Sequence, residues 1–204
     1  MSEPVRILIP FYSRTGTIEA LAKAVAEGAR AEGAEVRLRR AREVVGADIM
    51  QTVPGWSDSA ARMNAAYEAP TEADAEWADG IIFGTPTRFG SASSELRAYI
   101  DGLGGIWFRG GLNGKAGSVF GASASKHGGN ESTLLAMYNT MAHLGLIIVP
   151  LGYTDATLFK AGTPYGATAV SGQPPAPPTQ EDLDVATYQG RRVAKVAAAL
   201  KAGK

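Results

Sequence analysis

The chain has 204 residues, about the length of one large domain or two small ones. Lysine plus arginine total 20 and aspartate plus glutamate total 20, a zero net charge that speaks against a general nucleic-acid binder, an acidic tail or a polybasic membrane anchor. The absence of cysteine excludes disulfides, thiolate metal sites and thiol nucleophiles, and two histidines, His127 and His143, argue against a histidine-rich metal site.

The opening MSEPVRILIP lacks a basic stretch followed by a signal-length apolar core. The longest apolar run, LGLIIVPLGY (144–153), falls short of the roughly 20 residues of a membrane span. A soluble cytoplasmic protein is the expectation. VRILIPFY (5–12) reads as a strand ending at a Ser-Arg-Thr-Gly turn. TIEALAKAVAEGARAEG (17–33) sets Ile18, Leu21, Ala22, Val25 and Ala29 on one helical face, with Gly33 as a stop. AEVRLRR (34–40) alternates Val36 and Leu38 with arginines, the pattern of a strand near a sheet edge. The stretch 41–79 is irregular, with a helix around Ser57–Tyr67 and a capped start at Thr71. GIIFGTP (80–86) is a third strand, SASSELRAYIDGL (91–103) a helix and GSVFGAS (117–123) a fourth strand. ESTLLAMYNTMAHLG (131–145) is helical and LIIVPLG (146–152) is the fifth strand. A polar stretch then runs through PPAPP to Thr179 and Asp182, which open a final amphipathic helix. Strands alternating with helices predict an α/β fold whose parallel sheet is covered on both faces.

Ligands of such sheets bind beyond the carboxyl ends of the strands. The loops there are SRTGT (13–17), TPTRFGS (85–91) and ASASKHGGN (122–130). Ser13, Thr15 and Thr17 place hydroxyls around Gly16, beside the free N–H groups of a helix start. That arrangement suits a terminal phosphate held by neutral donors, or an ordinary capped turn. No GxxxxGK[ST] or GxGxxG pattern occurs. In the second loop Arg88 offers positive charge beside a planar ring and Phe89 a stacking face; the alternatives are a solvated Arg88 and a core Phe89. Trp107, on a glycine-rich break, serves as a ligand contact or a packing anchor. Gly128 and Gly129 let backbone run along a flat ligand, while His127 and His143 each have a structural reading. There is no GxSxG elbow and no carboxylate pair at the strand ends. Chemistry therefore falls to a bound cofactor.

IIFGTPTRFG (81–90), GLGGIWFRGGLNGKAGSVF (102–120), HGGNEST (127–133), MAHLGLIIVPLGY (141–153) and GTPYGAT (162–168) closely resemble the WrbA family of FMN-dependent NAD(P)H:quinone oxidoreductases. The resemblance spans essentially the whole chain. It implies a flavodoxin-like three-layer sandwich with a five-stranded parallel sheet of order 2-1-3-4-5. It also implies a single FMN-binding domain over 1–204, with 41–79 as an irregular insertion, and a homotetramer built as a dimer of dimers. Ser13, Arg14, Thr15, Gly16, Thr17 and Ile18 would form the phosphate loop. Pro86, Thr87, Arg88, Phe89 and Gly90 would flank the isoalloxazine on one side, and Ala122, Ser123, Ala124, Ser125, His127, Gly128 and Gly129 on the other. His143 would reach the flavin from a neighbouring subunit, and Trp107, with Thr15, Phe89 and His143, would line the nicotinamide and quinone pocket. Position 15 is Thr where many members carry Tyr. The implied activity is ping-pong two-electron reduction of quinones by NADH or NADPH, with no metal, nucleic acid or membrane span. Alternatives on the same fold are an electron carrier, an azo or metal-ion reductase, or a non-catalytic regulatory binding protein.

Overall fold

The computed structural model describes residues 3–203. Along the chain run β1 (Arg6–Phe11), α1 (Thr17–Ala31), β2 (Glu35–Arg40), α2 (Ala47–Gln51), α3 (Trp56–Ala66), α4 (Glu72–Trp77), β3 (Gly80–Arg88), β4 (Ser91–Ala92) and α5 (Ser94–Asp101). There follow α6 (Gly104–Phe108), β5 (Ala116–Ser123), α7 (Asn130–His143), β6 (Ile147–Ile148), a 3₁₀ turn (Ala156–Phe159), β7 (Thr168–Val170) and α8 (Gln180–Ala202). The main path of the sheet is β2-β1-β3-β5-β6, all parallel. Counting only these five strands, this is the expected order 2-1-3-4-5.

Strand alternation makes the two cores. Ile7, Ile9 and Phe11 of β1 join Ile82 and Phe120 against α1 and α8. Leu8, Ile81, Phe83 and Val119 point the other way, against Leu96 and Ile100 of α5 and Leu134, Met137 and Met141 of α7. Both faces are therefore buried, which is why β1, β3 and β5 read as continuous apolar runs. The edge strand β2 has only half-buried Val36 and Leu38. Helices α1 and α8 cross at Gly28 and Gly190, where an added Cβ would come within 1.9 Å of a carbonyl oxygen of the opposing helix. The expected caps form: Thr71 and Thr179 each close a capping box with Asp74 and Asp182. Among the described residues, no helix is long and apolar enough to cross a membrane.

Three expectations need correction. The fifth strand does not run over 146–152. It pairs with β5 at Ile147 and Ile148, leaves the sheet, and is replaced farther along β5 by β7. Pro150 removes a ladder donor at the departure. Buried Gln189 of α8 satisfies the gap, accepting from Ala167 N at 3.0 Å and donating to Ser118 Oγ at 2.8 Å and Val119 O at 2.9 Å. The helix expected over 91–103 starts at Ser94, because Ser91 and Ala92 fold back as β4 on Arg88 and Thr87. The stretch 41–79 is less irregular than expected: besides the helix expected around Ser57–Tyr67, present as α3, and the capped start at Thr71, present as α4, it holds a further helix, α2.

Candidate functional site

The loops after β1, β3 and β5 converge at the carboxyl edge of the sheet on one cavity of roughly 340 Å³, within the range of ligand pockets. Ser13, Arg14, Thr15, Thr17, Ile18, Pro86, Thr87, Arg88, Phe89, Ala122, Ser123, Ala124, Ser125 and Gly128 line it, as does Ser171. Sequence reasoning missed Ser171. It arrives one residue after β7, and its N–H and hydroxyl both donate to Ser123 O. Nothing in the polar stretch around it signalled that return.

The first loop is shaped locally. Ser13 Oγ accepts from Gly16 N at 3.0 Å, turning the chain back on itself. Gly16 has φ of +104° and caps α1 with no side-chain hydrogen bond. The first N–H groups of α1 thus stay available to an anion, on the positive end of the helix dipole. By contrast α5 is closed by Ser93 and α8 by Thr179. Gly16 itself lines a neighbouring groove with Thr15, Thr17 and the 175–178 proline segment. Gly129 repeats the pattern at the start of α7, with φ of +92° and no side-chain cap. It lies behind the cavity wall, where its carbonyl accepts from Ser132 Oγ at 3.1 Å.

The second loop is anchored and strained. Thr87 Oγ1 meets Thr133 Oγ1 of α7, and Arg88 donates to Thr87 O at 3.0 Å. Phe89 has φ of +52°, a left-handed conformation unusual for an aromatic residue, and its side chain is fully exposed. Such strain is held at places where the direction of a side chain matters. In the third loop Gly128 is sterically required, since a Cβ there would lie 2.7 Å from Ser123 Cβ.

Electrostatically the cavity is positive. Neither Arg14 nor Arg88 has a carboxylate within ion-pair distance among the described residues. Burial first, and then the neighbouring Arg14, lower the Arg88 guanidinium below its ordinary value, though Glu95 counteracts this. Arg88 stays cationic because so basic a group keeps its proton in proteins. Beneath the loop, burial above all, with the Glu95 and Glu43 carboxylates, pushes Tyr12 up to about 12, so its hydroxyl stays protonated.

Not every predicted residue comes to this cavity. Gly90 and His127 do not line it; His127 is exposed on the outer side of its loop. Trp107 and His143 line a different cavity, between α5, α6 and α7, and Trp107 Nε1 donates to His143 O at 2.8 Å. Within one chain, therefore, Trp107 does not face Phe89 across a shared slot.

Neutral hydroxyls, uncapped helix N–H groups and two flat-facing loops suit a planar ring carrying one phosphate. Comparison with known proteins decides the family. The pattern of the NADPH-dependent FMN reductases matches residues 12–157. The chain belongs to that family. It is 46% identical over 176 residues to an NAD(P)H dehydrogenase (quinone) of Deinococcus radiodurans, covering 85% of this chain and 88% of that one. It is 42% identical over 203 residues to a protein of the same name from Geotalea uraniireducens, covering 96% and 99%. Among solved structures it is similar to the flavodoxin, WrbA-like protein from Agrobacterium tumefaciens, with a TM-score of 0.68 and 26% identity over 96% of this chain and 98% of that one. A flavodoxin from the domain Archaea shares the fold at a TM-score of 0.59 and 14% identity, covering 95% and 99%. The 13–18 loop lies at the start of the region that the family pattern matches.

Proposed function

We propose that this protein is an FMN-dependent NAD(P)H:quinone oxidoreductase that reduces quinones to hydroquinones in a ping-pong cycle. The observation that carries the reading is the convergence of three carboxyl-edge loops on one positive cavity floored by an uncapped helix start. Relatives named NAD(P)H dehydrogenase (quinone) at 42–46% identity support it. When bound, FMN supplies a two-electron centre between nicotinamide and quinone.

This chain's residues do the holding and positioning. Ser13, Thr15, Thr17 and the first N–H groups of α1 hold the phosphate, and the left-handed Gly16 keeps side-chain atoms off it. Pro86 to Phe89 on one side, and Ala122 to Ser125 with Gly128 on the other, would flank the ring, where backbone donors would stabilise negative charge. Arg88 adds positive charge on the same side. Phe89 presents a bare aromatic face over which flat partners stack, and Thr15 leaves the mouth open where a tyrosine would wall it. Positioning two flat partners in turn is the main contribution of the protein.

The chain acts as a single domain over 1–204, in the cytoplasm, and assembles as a homotetramer. Exposed Trp107 and Phe108, and a Trp107–His143 cavity apart from the cofactor cavity, support an arrangement in which a neighbouring copy brings those residues to the flavin. Zero net charge favours an enzyme of diffusible substrates over an acidic electron carrier.

The test is direct. Protein reconstituted with FMN should oxidise NADH or NADPH with a benzoquinone acceptor and give parallel initial-rate plots. No turnover with any quinone would overturn the enzyme reading.

A further inference from the structure

The end of β2 and the chain from it to α4 have no part in the cavity lining, yet they grip the phosphate loop at three points. The first is Arg40, the last residue of β2, which is fully buried. It donates to Ser13 O at 3.0 Å, and also to both carboxylate oxygens of Glu43 and to Asn64 of α3. Arg42 joins from the same turn, donating to Asn64 Oδ1 and to Tyr67 O at 2.7 Å. The second grip is Arg14, whose guanidinium stacks 3.8 Å above the ring of Trp56, the first residue of α3 and itself buried. The third is Glu19, in the first turn of α1. It receives Arg62 at 3.0 Å on Oε1 and a second Arg62 N–H on Oε2, with the Tyr67 hydroxyl at 2.9 Å and Lys23 at 3.2 Å.

Residues 13, 14 and 19 bracket the loop that turns at Gly16 and presents Thr15 and Thr17. Arg40, Trp56, Arg62 and Tyr67 all belong to the end of β2 or to the chain that follows it up to the residue after α3. An uncapped loop carrying a left-handed glycine has few contacts of its own to hold its shape. The Arg62 fork on the buried Glu19 carboxylate, and the buried Arg40 guanidinium fixed by Glu43, supply directional restraint.

We propose that the 40–67 segment is a brace that pre-organises the phosphate loop, with Arg40, Trp56 and Arg62 as positioning residues for the phosphate end of the cofactor. The inference rests on reading Ser13 to Ile18 as the FMN phosphate loop. Its consequence is thermodynamic linkage. Ordering of 40–67 strengthens phosphate binding, and phosphate binding must tighten 40–67 by the same factor.

The decisive comparison is FMN against riboflavin, which presents the same ring without the phosphate. Affinities are measured by fluorescence titration of apoprotein for the wild type, Arg62→Met, Trp56→Leu and Arg62→Lys. Arg62 is exposed enough for its removal to leave folding intact, and urea unfolding of each apoprotein checks that it does. FMN affinity should fall about tenfold in Arg62→Met and Trp56→Leu. Riboflavin affinity should stay within about twofold of the wild type, and Arg62→Lys should recover part of the FMN affinity. Reciprocally, amide exchange over 56–67 should slow when FMN binds the wild type and change little with riboflavin. Equal losses for both flavins, or no loss for either, overturn the brace. A wild type that binds FMN no more tightly than riboflavin overturns the phosphate-loop reading itself, and that outcome is visible before any variant is made.

Discussion

Gly16 shows how one residue can be demanded by backbone rather than by space. A Cβ at this position would meet nothing closer than Glu19 Oε2 at 4.0 Å. What forbids a side chain is the φ of +104°, which costs an L-residue about 1–2 kcal/mol and a β-branched one more. Gly16→Val should therefore lower apoprotein stability modestly and weaken FMN binding by at least about tenfold, because the loop can relax only by turning its N–H groups away. Isothermal titration with FMN checks this; unchanged affinity would place the phosphate elsewhere. Glu19 illustrates the electrostatic side. Burial alone would push its carboxyl up, but hydrogen bonds from Arg62, Tyr67 and Lys23 outweigh it and lower the group from 4.5 to about 2. Because the folded pKa lies below the unfolded one, the unfolded chain takes up the proton first. The Glu19 contribution is full above about 4.5 and fades as pH falls through about 2. In urea unfolding, the gap between wild type and Glu19→Gln should be widest near neutral pH and narrow steadily on acidification. That Ser13 and Arg88 face the carboxyl-edge cavity was legible in the sequence, because a hydroxyl and an arginine at a strand end carry their own chemistry. Arg40 and Glu43 were not, since a buried ion pair has no sequence period.

The fifth strand is the element where pattern and outcome part. LIIVPLG has the composition of a buried strand, yet only Ile147 and Ile148 pair with β5. The rest of that edge is taken by β7, arriving after a long excursion. The exchange works because Gln189, wholly buried on α8, supplies the donors and acceptor that a continuous strand would have supplied. Gln189→Leu would leave Ala167 N and Val119 O without these partners in a dry core. The expected loss is about 2–4 kcal/mol in urea unfolding, with weaker FMN binding as the entry to β7, bonded at Ala167 N, loosens ahead of Ser171 at the cavity. A loss of less than about 1 kcal/mol would mean that water or the neighbouring backbone fills the gap. The helix starts at Thr71 and Thr179 behave differently: both capping boxes form where the sequence put them, because capping is a contact between residues three apart and needs no distant partner.

For the molecule as a whole, the balance of 20 acidic and 20 basic residues has a kinetic consequence. An uncharged quinone feels no steering field, and a chain of zero net charge has no large overall charge to steer a protein partner, so kcat/KM for the quinone should vary less than about twofold between roughly 20 and 200 mM salt. An acidic carrier docking on a basic redox protein would show a steep decline over the same range. Stopped-flow measurement of flavin reoxidation across that range distinguishes the two.

The sequence by itself determined the alternation of strands and helices, the sidedness of each buried strand, the caps and the three loops that meet at the sheet edge. Those features depend on neighbours two to four residues apart, or on strands buried on both faces, and such signals survive in one dimension. Tertiary structure alone decided where the fifth strand leaves the sheet and which residue closes the gap. It also set Trp107 and His143 in a cavity of their own and placed the 40–67 segment against the loop at 13–18. Each of these rests on contacts between residues tens of positions apart, whose energies depend on a shared buried environment that no local pattern records.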